Sequence, residues 1–449
     1  WHARLAQAFR WASPAMWSRL QGALRPPALV AAAAVLPGLL PDGSSSGSWH
    51  ARQKRQLVSC QTTKAEATER EIAESFMRAA AMSALAGIRL QHGGPFGAAV
   101  VRDGVIISCA HNMVLHRGDP CCHAEMNAIQ QACQALGSHD LSECELFTTC
   151  EPCPMCWGAV QWSRLGRAYI GVDRHTAAKY GFDDKVFYDE IDSKAGHYGI
   201  KRTGYIPNTS EAHNPQGERV FKNMVDVYDG ILKEDVEQFF KDTTVNRTMR
   251  RRFTGKGGEQ VQSAYKLVFD REAQLRPPPS GADDTNMEDH EKYMKLAMAV
   301  AARGAKAGLA KERECFGAVI VKDGVVVAEA CNCVLSDRDA TATAEVKAIR
   351  AATQRLGTYN LEGCVMYTTA HPDLMSLGAV LWSRISRIYC GVTQQFAAHC
   401  GFEEGYLHLK DLLETEQGGA YVTQVIPGVA AKECEYVFQE WSDRNGVVY

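Results

Sequence analysis

The sequence lacks any apolar run long enough to cross a bilayer, and it lacks a net charge of consequence: 449 residues carry −3. The first absence argues against a membrane-spanning helix. The second removes the whole-chain basic footprint that nucleic acid attracts, leaving Arg250-Arg251-Arg252 as a local basic run, read as a solvated stretch of connector. Acidic residues are missing from residues 1–41, which instead hold Arg4, Arg10, Arg19 and Arg25 and an apolar stretch at Ala28–Leu36. That composition resembles an organelle-targeting presequence, and it reads equally as a disordered or mistranslated extension. The first residue is Trp1, so the chain is processed or incomplete at its start. The stretch WHAR stands at Trp1–Arg4 and again at Trp49–Arg52, for which we have no physical account. Location is therefore expected to be cytoplasmic, or organellar if 1–41 is a presequence.

Cysteine is plentiful, with 16 in the chain. Disulfide frameworks belong to short secreted chains, whereas these cysteines are scattered through apolar segments, so most read as buried thiols. Two at CxxC spacing, Cys153 and Cys156, ask for a different explanation.

After the flexible GSSSGS at Gly43–Ser48, apolar residues recur at helical spacing over Ala65–Arg89. Two β-branched runs follow, Gly97–Val101 and Val105–Cys109, joined by the hairpin signal Arg102-Asp103-Gly104. A helix over Ala124–Leu136, a strand over Glu145–Thr149, a helix over Pro154–Trp162 and a strand over Arg167–Val172 complete the pattern. Strands alternating with helices imply an α/β fold, a mixed sheet covered on both faces. The order then returns at a constant offset of 220, with about 40 identities in 89 positions between 96–184 and 316–404. Two tandem copies of one domain are expected. The implied division is an extension over 1–62, a catalytic domain over 63–246, a mobile connector over 247–290 and a degenerate domain over 291–449.

The first copy carries Asp119-Pro120, then His123-Ala124-Glu125, then Pro152-Cys153-Pro154-Met155-Cys156. A catalytic zinc takes three His or Cys ligands and keeps a fourth position for water. Cys153 and Cys156 fall on one face at the start of a helix, whose positive end favours the thiolate. Pro154 suits a first helical turn, where a missing N–H costs nothing. Glu125 is placed to move protons beside the ligands His123, Cys153 and Cys156. A closed structural zinc site is the competing reading; it would ask for a fourth Cys or His, and Cys150 is near in sequence.

These residues resemble the cytidine deaminase superfamily, and the stretches GGPFGAAVVRDG, NMVLHRGDPCCHAEMNAI, TTCEPCPMCWGAV and GFDDKVFYDEI resemble guanine deaminases of the bacterial type over most of 92–191. The resemblance implies a three-layer α/β/α fold and hydrolytic deamination of guanine to xanthine and ammonia, with a small purine base as the ligand. It also maps a purine-binding set onto Asn112, Phe96 and Asp184; as residues alone, these read equally as a turn residue, a core aromatic and a loop charge. Guanosine deaminases and tRNA adenosine deaminases share HAE with PCxxC, so both remain as alternatives; GFDD and the acidic balance weigh against tRNA. A non-catalytic zinc scaffold is the alternative outside enzymes.

In the second copy His123 becomes Thr343, Cys153 becomes Asp373 and Cys156 becomes Ser376, while Glu345 stands at the Glu125 position. One Zn2+ per chain, in the first domain only, is expected. Guanine deaminases of this type resemble swapped dimers in which a C-terminal Tyr closes the other subunit's site. This implies an intramolecular pseudo-dimer whose tail, ending at Tyr449, covers the first copy, and it leaves further homo-oligomers open.

Overall fold

The computed structural model of the chain describes residues 69–180, 200–202, 225–228, 230–237, 240, 287–307, 315–385, 387–400, 402 and 424–443. The extension over 1–62, most of the connector, Asp184 and Tyr449 lie outside the described residues.

Helix α1 (Glu69–Arg89) has Glu69 and Glu71 in its first turn and Arg89 in its last, which complements the helix dipole. It buries Ala73, Met77, Ala80, Ala84 and Ile88, one stripe at three- to four-residue spacing. Strands β1 (Gly97–Arg102) and β2 (Val105–His111) form an antiparallel hairpin. Asp103 and Gly104 both take positive φ, the two-residue turn whose twist matches that of the strands. Period-two alternation along β1 sets the layers: Ala99 and Val101 pack with α1 residues, Ala98 and Val100 with the core on the opposite face. That opposite face is covered by α3 (Ala124–Leu136) and α4 (Pro154–Trp162), the short α2 (Val114–Arg117) preceding them.

Strand β3 (Cys144–Cys150) pairs antiparallel with β1 and parallel with β4 (Arg167–Val172), the parallel step being made by α4. After α5 (Arg174–Lys179), β5 (Ile200–Arg202) and β6 (Val225–Tyr228) extend the sheet, giving the order β2-β1-β3-β4-β6-β5. The second copy repeats this with α6 (Met287–Ala307), β7 (Gly317–Lys322), β8 (Val325–Cys331), α7 (Val334–Asp337), α8 (Ala344–Leu356), β9 (Cys364–Ala370), α9 (Leu374–Ser383), β10 (Arg387–Val392), α10 (Gln394–His399), β11 (Gln424–Pro427) and α11 (Ala431–Asp443). Among the described residues its sheet runs β11-β10-β9-β7-β8, the first sheet's order less its outermost strand. Both are mixed sheets between helical layers, as the α/β pattern predicts. Helix α6 opens at Met287, four residues inside the span read as connector.

The copies meet through α4 and α9, and one continuous apolar core includes residues of both. A Cβ on Gly158 would stand 2.4 Å from the backbone nitrogen of Met375, and one on Gly378 would stand 2.5 Å from that of Met155. Only glycine permits such an approach of two helix backbones. Around this crossing the contacts come in exchanged pairs. Gln130 Nε2 donates to Asp339 Oδ2 at 2.8 Å, and at the equivalent positions Arg350 Nε lies 3.9 Å from Asp119 Oδ2.

Candidate metal centre and active site

His123 is the N-cap of α3 and Cys153 the N-cap of α4, both with extended backbone, and neither side chain caps its helix. Forgoing a cap costs about 1 kcal/mol at each position, and it leaves the imidazole and the thiol turned to one point. Pro154 fills the first turn of α4, and one turn of helix brings Cys156 beside Cys153. Cys153 Sγ lies 3.5 Å and Cys156 Sγ 3.6 Å from His123 Nδ1, and the two sulfurs are 3.6 Å apart.

Three donors bound about 2.0–2.3 Å from one tetrahedral ion stand roughly 3.4–3.8 Å from each other. The triangle and its donor set therefore fit a zinc ion. Among the described residues this is the single group of three or more His, Cys, Asp or Glu side chains close enough to hold one. Cys150 is buried instead in the core cluster that contains Met77 and Phe147 of the α1 side.

Burial opposes charge at both thiols. At Cys153, hydrogen bonding from Cys156 and the nearby His123 overcome it and pull the thiol well down; at Cys156, burial and then Cys153 push it up. One sulfur of the pair is thus set to carry negative charge. Trp382, from the second copy, donates its indole Nε1 to Cys153 Sγ at 3.3 Å and stands edge-on to His123, 4.9 Å between ring centroids. The equivalent Trp162 of the first copy hydrogen-bonds Asp373, which occupies the Cys153 position of the second. Each copy thus supplies a tryptophan to the other's cluster, a role the repeated Trp-Ser-Arg of the sequence did not disclose.

Glu125 sits in the first turn of α3, 4% exposed. Thr148 Oγ1 donates to its Oε1 at 2.9 Å, and its Oε2 is 3.5 Å from Cys156 Sγ. Burial raises its pKa above the ordinary carboxylate value, with His123 pulling the other way. A carboxyl that holds a proton more firmly than usual, beside a three-donor cluster, suits general acid–base work.

Asn112 directly follows β2 and Phe96 directly precedes β1. Asn112 is buried; its Oδ1 accepts from Val114 N at 3.2 Å, and its own N–H donates to Phe96 O at 3.1 Å. Phe96 is half-buried, edge-on to Phe240.

In the second copy the three ligand positions hold oxygen. Thr343 and Asp373 are again N-caps, but here both cap: Val346 N donates to Thr343 Oγ1 and Ser376 N to Asp373 Oδ1. Ser376 Oγ lies 3.1 Å from Thr343 Oγ1, 2.9 Å from Asp373 Oδ2 and 3.2 Å from Glu345 Oε2. Burial, then the Asp373 charge, lift the Glu345 carboxyl to about 7. A cavity opens here, lined by Trp162, Phe316, Asn332, Glu345, His371 and Asp373 among others.

The zinc-binding region of cytidine and deoxycytidylate deaminases matches residues 70–172 and 287–392, once in each copy. Guanine deaminase of Bacillus subtilis (strain 168) is 45% identical over 122 residues, which cover 27% of this chain and 78% of that protein. The tRNA-specific adenosine deaminase of Aquifex aeolicus is 40% identical over 102 residues, 23% of this chain and 56% of that protein. The crystal structure of guanine deaminase from Bacillus subtilis aligns with 32% of this chain and 87% of its own, at 40% identity and a TM-score of 0.26. With a matching zinc-binding region in each copy and the Bacillus subtilis guanine deaminase covered over 78% of its length, the chain belongs to the cytidine and deoxycytidylate deaminase family, enzymes that hydrolyse C–N bonds, and it is similar to guanine deaminases of the bacterial type.

Proposed function

We propose that the first copy hydrolyses the exocyclic C–N bond of guanine, releasing xanthine and ammonia. The 45% identity with a guanine deaminase carries the choice of substrate. The chemistry rests on the chain's own groups. His123, Cys153 and Cys156 would hold one Zn2+ per chain, in the first copy only, since the second offers Thr343, Asp373 and Ser376 in their place. Zinc in such a site supplies Lewis acidity and makes water a nucleophile at neutral pH. Glu125 accepts the proton of the attacking water and passes it to the departing amino nitrogen, with Thr148 fixing one carboxylate oxygen for both transfers.

Asn112, Phe96 and Asp184 are proposed to hold the purine, Asn112 having its amide oxygen fixed by the Val114 backbone. The domain division (63–246 catalytic, 247–290 connector, 291–449 degenerate, after an extension over 1–62) and the intramolecular pseudo-dimer belong to the same reading. The exchanged glycine, tryptophan and aspartate contacts support the pairing. Tyr449 is proposed to close the first site from the second copy's tail. Deleting the last five residues should then lower turnover with zinc content unchanged, and unchanged turnover refutes that role.

The deciding experiment is a chromatographic product assay on guanine, guanosine, cytosine, cytidine, adenine and a tRNA anticodon loop, with zinc counted on the same sample. Xanthine and about one zinc per chain, the number one three-ligand site holds, are expected. Turnover of guanosine, or of tRNA as the adenosine-deaminase likeness would have it, overturns the substrate and keeps the chemistry. No turnover with zinc bound overturns the enzyme reading in favour of a zinc scaffold.

A further inference from the structure

Where the first copy has His111 and Met113, the second has Cys331 and Cys333, flanking Asn332 at the end of β8. The two sulfurs lie 3.7 Å from each other. Both cysteines are partly exposed, unlike most thiols of this chain. We propose that Cys331 and Cys333 are a peroxide-sensitive dithiol that closes to a disulfide, a redox site separate from the zinc cluster.

The surroundings divide the roles. Cys333 is drawn down to about 6, first by its contact with Cys331 and then by Lys347, against burial and the opposing charge of Asp337. Lys347 is itself held by Asp337, with Nζ 2.7 Å from Oδ2. Cys331 is shifted the other way by the same contact. Lys347 hydrogen-bonds the Cys333 sulfur, which makes Cys333 the attacking thiol and Cys331 the resolving one.

In the first step the Cys333 sulfur attacks a hydroperoxide. An S–O bond forms, the O–O bond breaks, two electrons pass from sulfur to the peroxide, and the departing oxide takes up a proton. In the second, Cys331 attacks the sulfenic sulfur, the S–S bond forms, the S–O bond breaks, and the Cys331 proton leaves with hydroxide as water. The sulfurs must close from 3.7 Å to about 2.05 Å. The bridge would span Asn332, whose Oδ1 accepts from Val334 N at 3.3 Å and which lines the second copy's cavity.

The test treats the reduced full-length chain with hydrogen peroxide, alkylates it and digests it with trypsin. The peptide Asp323–Arg338 holds both cysteines and no other. It should emerge two hydrogens lighter and unalkylated, and dithiothreitol should restore both thiols. In C331S, dimedone should trap a sulfenic acid on Cys333; in C333S, trapping at Cys331 should be at least about tenfold slower. A peptide that stays fully alkylatable, a dioxygenated Cys333 without a bridge, or a bridge from Cys333 to any other cysteine overturns the proposal.

Discussion

Replacing Glu345 by glutamine should stabilise the protein above neutral pH and do little below pH 5. Glu345 is 4% exposed, and burial followed by the Asp373 charge raises its pKa from an ordinary 4.5 to about 7. The folded state thus holds this proton more tightly than the unfolded chain does. Its contribution is fully present below pH 4.5 and is lost as pH rises through 7, where an ionised carboxylate stays buried beside Asp373. At about 1.36 kcal/mol per pH unit of displacement, the loss comes to about 3 kcal/mol. Glutamine mimics the protonated acid: its oxygen can accept from Thr368 as Oε1 does now, and its NH2 can reach Ser376. Urea unfolding of both proteins at pH 5 and pH 8.5, followed by tryptophan fluorescence under reducing conditions, gives the difference directly. Terms common to both proteins, zinc loss in acid included, cancel. The variant's advantage should grow by about 2.5 kcal/mol between the two pH values, since at pH 5 the unfolded carboxyl is already partly ionised. A difference constant to within about 0.5 kcal/mol, or one favouring the wild type in alkali, refutes the reasoning.

The remaining predictions concern the first copy and its contact with the second. Glu125→Gln should lower kcat by about 10²–10⁴-fold while the zinc content of the purified protein stays unchanged; a smaller loss would remove Glu125 from proton transfer. Trp382→Phe keeps an aromatic edge at His123 but removes the N–H that reaches Cys153 Sγ. Competition with a chromogenic chelator should show zinc held about 10–100-fold more weakly, and equal affinity would mean the indole serves packing alone. Gly378→Val drives a branched side chain onto the Met155 backbone and should cost about 1–3 kcal/mol or more in urea unfolding. Because Met155 lies between Cys153 and Cys156, the same variant should also lose zinc during dialysis.

The elements that sequence reasoning resolved were those with a strong local signal. The helices over Ala124–Leu136 and Pro154–Trp162 and the strand over Arg167–Val172 stand as the periodicity places them, and the hairpin turns at Asp103-Gly104. The cluster of His123, Cys153 and Cys156 was legible because His, Cys and Cys at this spacing carry a recognisable metal-binding chemistry. Strands β5 and β6 were missed: they are three and four residues long, too short for a period to declare itself. The inter-copy tryptophans were missed for another reason. Trp162 and Trp382 were visible as a repeat, yet a repeat does not say across which surface two copies face one another. Nor did the ligand losses disclose that Thr343 and Asp373 restore helix caps which His123 and Cys153 give up. The exchange of sulfur and imidazole for capping oxygens becomes intelligible only once those residues are seen at helix starts.

The crossing of α4 and α9 has a consequence for how such a chain can change over generations. The helix that presents two cysteines is also the one that meets the other copy through Gly158 and Gly378. A duplicate freed from chemistry could shed its ligands one by one, but shedding Gly378 or Trp382 would disturb the intact site across the boundary. The joint behaves as a ratchet, letting the second copy's own centre change while holding that copy in service as the other's wall.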